Sequence, residues 1–464
     1  MRDVTSLGAD GQGFVRPCAY EGSVAARYLN TTLVSAPARA DNKQRIAEGK
    51  DTRPRGHFKV NQPKVGWSCV RMTEGEEATG GTAAVPAPQR AVDWYELFFD
   101  LVFVAVIALS ARAIEHEPGV GTVLAFLLLF FPLWWAWVNL MIANNLYGSR
   151  FTMVGPLVVV SMPGAAAMAI AISQGVEEHG QLYALGAAWI RVVLLMIWLI
   201  PFMKKIVAVP LWRPLAYNLG TAALWLISLL LPVPWRYWIW ALAVVAEVFL
   251  LAWRRGFSFD VYERIAIPHL LERIGLFIVI VLGEAVYLVV TGLAEHRSLP
   301  GATAGIGGFV ICALLARAFY RWGGPSTERG LAAARLRHSY GAMRDAVMYF
   351  PFIAVAALTL LAASLGSAVS LAHNPLPVEG RALLAAGVGG FYLANALIGM
   401  RLGRHFGRLG LLLGAGVFLP AVACLIGGAW PAWATVGLVA IALLIVDALS
   451  GVLERRSVAR KSGE

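Results

Sequence analysis

Residues 119–149 read GVGTVLAFLLLFFPLWWAWVNLMIANNLYGS and contain no Asp, Glu, Lys or Arg. A bilayer core of about 30 Å is crossed by roughly 20 apolar residues of α-helix, so this run is long enough to span a membrane. Further uncharged runs follow it, at residues 151–176, 214–235, 346–378 and 409–446. One such run could be a core helix of a soluble protein, but a soluble fold cannot bury so many. The runs predict an integral membrane protein.

The composition favours an all-α, polytopic membrane helix bundle. Of the 464 residues, 58% are hydrophobic and 14% are charged, whereas a soluble protein has roughly 25% charged residues. The run 409–446 is too long for one crossing, and Gly427, Gly428 and Pro431 divide it into two helices. We therefore predict about twelve membrane-spanning helices. They cover residues 95–114, 121–143, 152–173, 182–204, 214–232, 235–253, 273–293, 301–320, 345–370, 381–400, 408–427 and 433–453.

Basic residues lie in alternate loops, and the cytoplasmic loops of membrane proteins carry the excess of Lys and Arg. The basic loops and the C-terminal tail hold Arg150, Lys204, Lys205, Arg213, Arg254, Arg255, Arg264, Arg321, Arg329, Arg335, Arg337, Arg401, Arg404, Arg455, Arg456, Arg460 and Lys461. The opposite loops hold few basic residues, Arg236, Arg297 and Arg381, and carry instead Glu115, Glu117, Glu177, Glu178 and Glu295. The pattern predicts that both termini are cytoplasmic. The net charge of +11 is thus a topology signal, and we expect no nucleic-acid partner.

The chain divides into three regions. Residues 1–90 are polar and lack a sustained helical period, so we predict that they are disordered. They do not begin like a signal peptide, and Met72 is an alternative start that would leave residues 1–71 untranslated. Residues 91–455 form the predicted transmembrane domain, and residues 456–464 form a basic cytoplasmic tail.

An even number of spans also permits two halves of six helices, a 6+6 repeat. Residues 96–101 read ELFFDL at the start of the first span, and residues 272–277 read ERIGLF at the start of the seventh. Each segment places an acid at the predicted cytoplasmic end, followed by an apolar run with a second acid inside. Transporters are often built from such repeats, but two unrelated amphipathic helix starts would look similar.

Charged residues inside the spans are few, and each costs several kcal/mol near the bilayer centre. Asp100 lies about 9 Å into the first span, and Glu96 precedes it on the same helix face. Glu284 lies about 16 Å beyond Arg273 in the seventh span and on nearly the same face. Arg191 is the cation closest to the middle of a span. These residues form the candidate intramembrane ionisable site.

Glu247, Glu272 and His269 are secondary candidates, and Asp447 lies near the inner end of the last span. A carboxyl group in apolar surroundings can bind a proton near neutral pH, which favours a proton or cation site. The structural alternative is a buried ion pair, such as Arg191 with one of the acids, that fixes helix register. No histidine lies in mid-span, so we expect no metal site, and nothing in the sequence predicts a cofactor.

Known catalytic motifs do not occur in the sequence. His116 and Glu117 are followed by Pro118, so there is no HExxH motif. There is no P-loop, and Ser161 and Ser173 have no mid-membrane histidine to activate them. We therefore expect that the protein is not an enzyme.

Two acidic blocks and an aromatic one carry a family resemblance. Residues 92–103 read VDWYELFFDLVF, residues 134–137 read WWAW, and residues 269–284 read HLLERIGLFIVIVLGE. In this order the blocks resemble the bacterial low temperature requirement protein A (LtrA) family, over roughly residues 90–455. The resemblance implies a multi-pass protein of the bacterial cytoplasmic (inner) membrane that is linked to growth at low temperature. It supplies no molecular activity. From the residues alone, we expect the WWAW block to pack between helices or to anchor at the membrane interface.

Mid-membrane acids without a catalytic motif favour a proton- or ion-coupled transporter or permease of unknown substrate. Its site would be built around Asp100 and Glu284, with Glu96, Arg273 and Arg191 as partners. One alternative is a non-transporting stress-response sensor or assembly protein, in which the acids are structural. A membrane-embedded enzyme that modifies lipids is a further alternative. The expected partners are the lipid bilayer and a proton or small solute, and the oligomeric state stays open.

Overall fold

The structure is a computed structural model that describes residues 93–148, 151–205, 212–252, 262–404, 410 and 413–462. Within these ranges the chain is helical and forms no strand beyond an isolated bridge between Pro375 and Pro431. The predicted all-α class is confirmed. The predicted N-terminal region 1–90, with Met72, lies outside the described residues.

Helical segments occur at each of the predicted spans. They are α1 Trp94–His116, α2 Val120–Tyr147, α3 Val154–Gln174, α4 Val176–Met203, α5 Trp212–Ile227, α6 Trp235–Ala252, α7 Ile267–Glu295, α8 Leu299–Leu336, α9 Tyr340–Ser370, α10 Val378–Arg401, α11 Gly414–Ala429 and α12 Ala432–Ser462. The last helix continues to Ser462, so most of the predicted tail 456–464 extends α12.

In the described part of the chain, 9 helices are long and apolar enough to cross a membrane. They are α1 to α4, α7 to α10, and α12. This result confirms a polytopic membrane bundle. The segments α5 and α11 are shorter apolar helices, and α6 has 18 residues. The count of twelve crossings, the 6+6 repeat and the cytoplasmic position of the termini stay predictions.

The eighth helix is longer than predicted, because it continues past residue 320. A π-helical turn at Phe319–Gly323 is followed directly by the helix Gly324–Leu336, with Pro325 in its first turn. A proline lacks an N–H, and the first turn of a helix is where that donor is not needed. The chain therefore stays helical through Pro325.

Glycines let α3 and α4 approach each other closely. A Cβ atom on Gly186 would lie 2.5 Å from the carbonyl oxygen of Gly164, closer than real Cβ atoms come. Small residues are the usual means of close helix packing in membranes. We expect any larger residue at position 186 to separate these two helices.

The starts of α1 and α7 are fixed by polar contacts, and this positions the site described below. At α1, the backbone N–H of Asp93 donates to the Glu96 carboxylate at 3.3 Å, as in a capping box. At α7, the Asn145 side chain accepts from the N–H of Ala266 at 2.9 Å and donates to its carbonyl oxygen at 3.1 Å. Asn145 belongs to α2, so the end of α2 is joined to the start of α7.

Candidate intramembrane ionisable site

Four predicted residues meet where α1 contacts α7. Glu96 and Asp100 from α1 face His269 and Arg273 from α7, and each pair is spaced one helical turn apart. All four side chains are buried. Two side chains of α2 complete the group, which we call the Arg273 cluster. Its members are Glu96, Asp100, Trp137, Asn144, His269 and Arg273.

The Arg273 guanidinium bridges the two carboxylates. Its Nη2 lies 2.6 Å from Asp100 Oδ1, and its Nη1 lies 3.4 Å from Glu96 Oε2. Nη2 also donates to the backbone oxygen of Glu96 at 3.4 Å. One cation from α7 thus contacts two successive turns of α1, which joins the two helices at this point.

The two oxygens of Asp100 have different surroundings. Oδ1 accepts from Arg273 and from the indole N–H of Trp137, which lies 2.8 Å away. Oδ2 is buried and has no hydrogen-bond partner among the described residues. The Trp137 ring packs on Phe277 of α7, with the ring centroids 4.5 Å apart. The donor to Asp100 is therefore held in place by aromatic packing.

The Glu96 carboxylate is surrounded by donors. The Asn144 side-chain amide donates to Oε1. Oε2 accepts from the backbone N–H of Asp93 and lies 3.3 Å from His269 Nε2. With Nη1 of Arg273 also near Oε2, both oxygens of Glu96 have partners.

His269 is held from its other side by α2. The Nδ1 atom of its ring lies 3.1 Å from the Nδ2 atom of Asn145. The same Asn145 amide is bonded to Ala266 through both of its polar atoms. The imidazole is therefore held at Nδ1 by the end of α2, while its Nε2 lies 3.3 Å from the Glu96 carboxylate and makes no hydrogen bond among the described residues.

The Arg273 cluster contains one more acid than its guanidinium can balance. With both carboxyl groups ionised and His269 neutral, the net charge of the buried group is negative. An uncompensated buried charge costs several kcal/mol after relaxation. The group becomes neutral when it binds one proton, on the imidazole or on a carboxylate. The arrangement can therefore bind and release a proton.

Arg191 and Glu247 form a separate and balanced pair. Arg191 of α4 donates to Glu247 of α6 through Nε and Nη2, each at 2.6 Å from a carboxylate oxygen. Both side chains are fully buried. A bidentate contact of one guanidinium with one carboxylate needs no further ion. Arg191 thus bonds to Glu247 rather than joining the Arg273 cluster.

Glu284 also lies apart from the Arg273 cluster. It is about 16 Å along α7 from Arg273, and the Arg112 guanidinium is the charge that acts on it. Arg112 donates to the hydroxyl of Tyr287 at 2.9 Å. Glu284 Oε1 is buried and has no hydrogen-bond partner in the described part of the chain. Asp100 and Glu284 thus belong to different polar sites on the α1–α7 contact.

The remaining predicted acids lie outside the cluster. Glu272 is exposed, although it neighbours Arg273 in sequence. Adjacent residues of a helix point about 100° apart, so Arg273 can face α1 while Glu272 faces away from it. Asp447 is bonded to Arg317 at 2.9 Å in a partly exposed pair.

Three side chains that contact these residues were not among the predicted site residues: Trp137, Asn144 and Asn145. The WWAW block is buried between helices, and each indole N–H has an acceptor. A signal for the two asparagines was present, because amides are unusual inside an uncharged membrane helix. Within the described ranges, no group of three or more His, Cys, Asp or Glu side chains could hold a metal ion.

Comparisons with known proteins place the chain among uncharacterised relatives. A family model described as bacterial low temperature requirement A protein (LtrA) matches residues 91–446. An uncharacterized protein of Rhizobium meliloti (strain 1021) is 26% identical over 201 residues, which cover 42% of this chain and 49% of the relative. The chain thus matches about half the length of this curated relative. No solved structure matches the chain.

Proposed function

We propose that this chain, which belongs to the bacterial low temperature requirement A family, is a proton- or ion-coupled transporter with the Arg273 cluster as its coupling site. One observation carries the proposal. Two buried carboxylates share one guanidinium at a contact between two membrane-spanning helices. Intramembrane ionisable groups of this kind mark ion and proton pathways in membrane proteins.

The charge of the cluster would decide how α1 and α7 are arranged. With one proton bound, the group is neutral and the packed arrangement carries no uncompensated charge. When the proton leaves, the buried negative charge favours an arrangement that admits water or a cation. A proton gradient can therefore shift the population between two arrangements, which is the requirement for coupled transport.

The proposal is tested by proton flux in proteoliposomes. The full chain is reconstituted with a trapped pH-sensitive dye, and a panel of inorganic ions and metabolites is added outside. We expect one class of solute to drive proton movement in the wild type, and the flux to fall to background in Asp100→Asn. The matched control is Asp447→Asn, which removes an acid from a partly exposed pair and should keep the flux. Equal flux in folded Asp100→Asn would contradict the proposal.

A non-transporting role, as a stress sensor or assembly protein, is the second candidate. The observation that favours it is the tight packing of the cluster, with Trp137 and Phe277 against each other beside Asp100. In that case the acids only hold the helices together. Their neutralisation would lower thermal stability, and no solute would drive a flux in either protein.

We also propose that the protein is not an enzyme. Its test is lipid analysis of the same vesicles, since a membrane-embedded lipid-modifying enzyme would change their phospholipids during incubation. Unchanged lipids together with solute-driven flux would support the transporter. Lipid turnover by the wild type that disappears in Asp100→Asn would contradict the proposal that the protein is not an enzyme.

A further inference from the structure

The hydrogen bonds of the Arg273 cluster indicate where its proton resides. The charges that face Asp100 are those of Arg273 and Glu96. His269 is the third titratable side chain of the cluster and lies beside Glu96. Each of the three acidic or basic groups that could bind the proton has a different set of neighbours. The hydrogen-bond donors and acceptors around each group indicate whether that group is ionised or neutral.

The His269 ring is neutral in this arrangement. Asn145 accepts from the N–H of Ala266 and donates to its carbonyl oxygen, which fixes the orientation of the amide. The Asn145 Nδ2 atom is therefore the one that faces His269 Nδ1, and Nδ2 can only donate. Nδ1 must be the acceptor, so the ring proton lies on Nε2. A second proton on Nδ1 would place two donors against each other.

Glu96 has the surroundings of an ionised carboxylate. Its oxygens face the Asn144 amide, the N–H of Asp93, Nη1 of Arg273 and Nε2 of His269. Asn144 and the N–H of Asp93 donate hydrogen bonds to this carboxylate, and the Arg273 cation lies 3.4 Å away, while His269 Nε2 lies 3.3 Å away without making a hydrogen bond in the described part of the chain. Several donors around a carboxylate favour its charged form.

Asp100 is different, because its Oδ2 has no partner among the described residues and is buried. A carboxylate oxygen without a donor is costly in an apolar site, and a hydroxyl in its place costs less. We propose that the proton balancing the Arg273 cluster resides on Oδ2 of Asp100, while Glu96 stays ionised and His269 stays neutral. Oδ1 then still accepts from Arg273 and Trp137. The proton comes from water and returns to it, so no other reactant is needed.

This assignment also names the coupling ion, and in that respect it rests on the proposed function. A metal cation needs several oxygen ligands, whereas Asp100 Oδ2 is the one carboxylate oxygen of the cluster without a partner. The Arg273 guanidinium already lies between the two acids and would repel a second cation. A proton needs a single oxygen. The coupled ion is therefore H⁺.

The test is infrared spectroscopy of the full chain in lipid nanodiscs, which detects the C=O stretch of a buried protonated carboxyl group. We expect such a band at neutral pH, shifted by carboxyl-13C aspartate and absent in Asp100→Asn. Glutamate labelling is measured in Glu284→Gln, so that Glu284 cannot contribute. The aspartate label tests the wild-type protein, so the result stands even where Asp100→Asn fails to fold.

Two outcomes would overturn the assignment. A band in Glu284→Gln that moves with labelled glutamate, and not with labelled aspartate, would place the proton on Glu96. The absence of any protonated carboxyl band would leave His269 as the proton carrier. Neither outcome depends on transport. If solute drives a proton flux but the aspartate carboxyl band is absent, the proton position is refuted and the transporter is not. If the band is present but no solute drives a flux, the transporter is refuted and the proton position is not.

Discussion

The Arg273 cluster and the Arg191–Glu247 pair bury the same chemical groups in one bundle, but they differ in charge balance. In the pair, one guanidinium meets one carboxylate and both oxygens are bonded at 2.6 Å. In the cluster, one guanidinium is shared by two acids at unequal distances of 2.6 and 3.4 Å. The pair is neutral as it stands, and the cluster is neutral only with a bound proton.

Burial alone therefore does not identify a functional charge. Both arrangements are buried and both join two helices. A balanced pair fixes helix register and has no reason to change with pH. An unbalanced group has two charge states with different energies in the bilayer, and this gives it the capacity to respond to protons. The following experiments test this comparison.

The largest loss of stability is expected when the Arg191–Glu247 pair is broken. Glu247→Gln leaves the Arg191 guanidinium buried without a counter-charge, and removal of one partner of such a pair costs about 3–5 kcal/mol. The measurement is thermal unfolding of the purified protein in detergent. Asp447→Asn, in a partly exposed pair, is the control and should cost much less. The comparison fails if the two variants lose the same stability.

Smaller losses of stability are expected when either acid of the Arg273 cluster is neutralised, and the two losses should differ. Glu96→Gln weakens several charge-assisted hydrogen bonds, worth about 1.5–3 kcal/mol. Asp100→Asn resembles a protonated Asp100 and should cost no more than about 1 kcal/mol at neutral pH. Both variants keep the volume of the side chain, so packing differences do not enter. Unfolding measurements at one pH check the order, and a larger loss for Asp100→Asn would refute the assigned proton.

A sharp change in the protonation of His269 is expected for Asn145→Asp. The substitution replaces the amide that donates to the Ala266 carbonyl oxygen with a buried carboxylate, so its effect is measured on the protonation of His269 and not on stability. A carboxylate facing His269 Nδ1 accepts where the amide donated, which favours a proton on Nδ1. The 15N NMR signals of labelled histidine check this, with His269→Gln to assign the resonance. A wild-type Nδ1 that already carries a proton would contradict the neutral ring.

Part of the candidate site could be predicted from spacing along single helices. Glu96 and Asp100 lie one turn apart, so the spacing predicts that they share a face of α1, and it predicts that Arg273 and Glu284 lie on nearly the same face of α7. A contact of Arg273 with the acids of the first span was hypothesised, and the structure shows it as the ion pairs of Arg273 with Glu96 and Asp100. The sequence also places Glu284 about 16 Å along α7 from Arg273, but spacing along one helix does not predict whether it meets Asp100 of α1. Periodicity orients residues around a helix, while depth decides whether they meet.

The contribution of α2 could not be predicted from the sequence. Trp137 and Asn144 contact the acids of α1, and Asn145 contacts the start of α7. These bonds depend on which face of α2 lies between the other two helices. Asn144 and Asn145 mark a polar end of α2, but an uncharged helix with so few polar residues does not indicate which neighbouring helices they face.

Local sequence is enough to predict the all-α class, the approximate positions of the membrane helices, and which costly residues lie inside them. These properties follow from the local length and polarity of the chain, because lipid requires each span to satisfy its own backbone. Only the tertiary structure decided that Arg191 takes Glu247, that Arg273 is shared by Glu96 and Asp100, and that Glu284 stands apart. Such partnerships depend on which helix faces meet at the same depth, and no single helix carries that information.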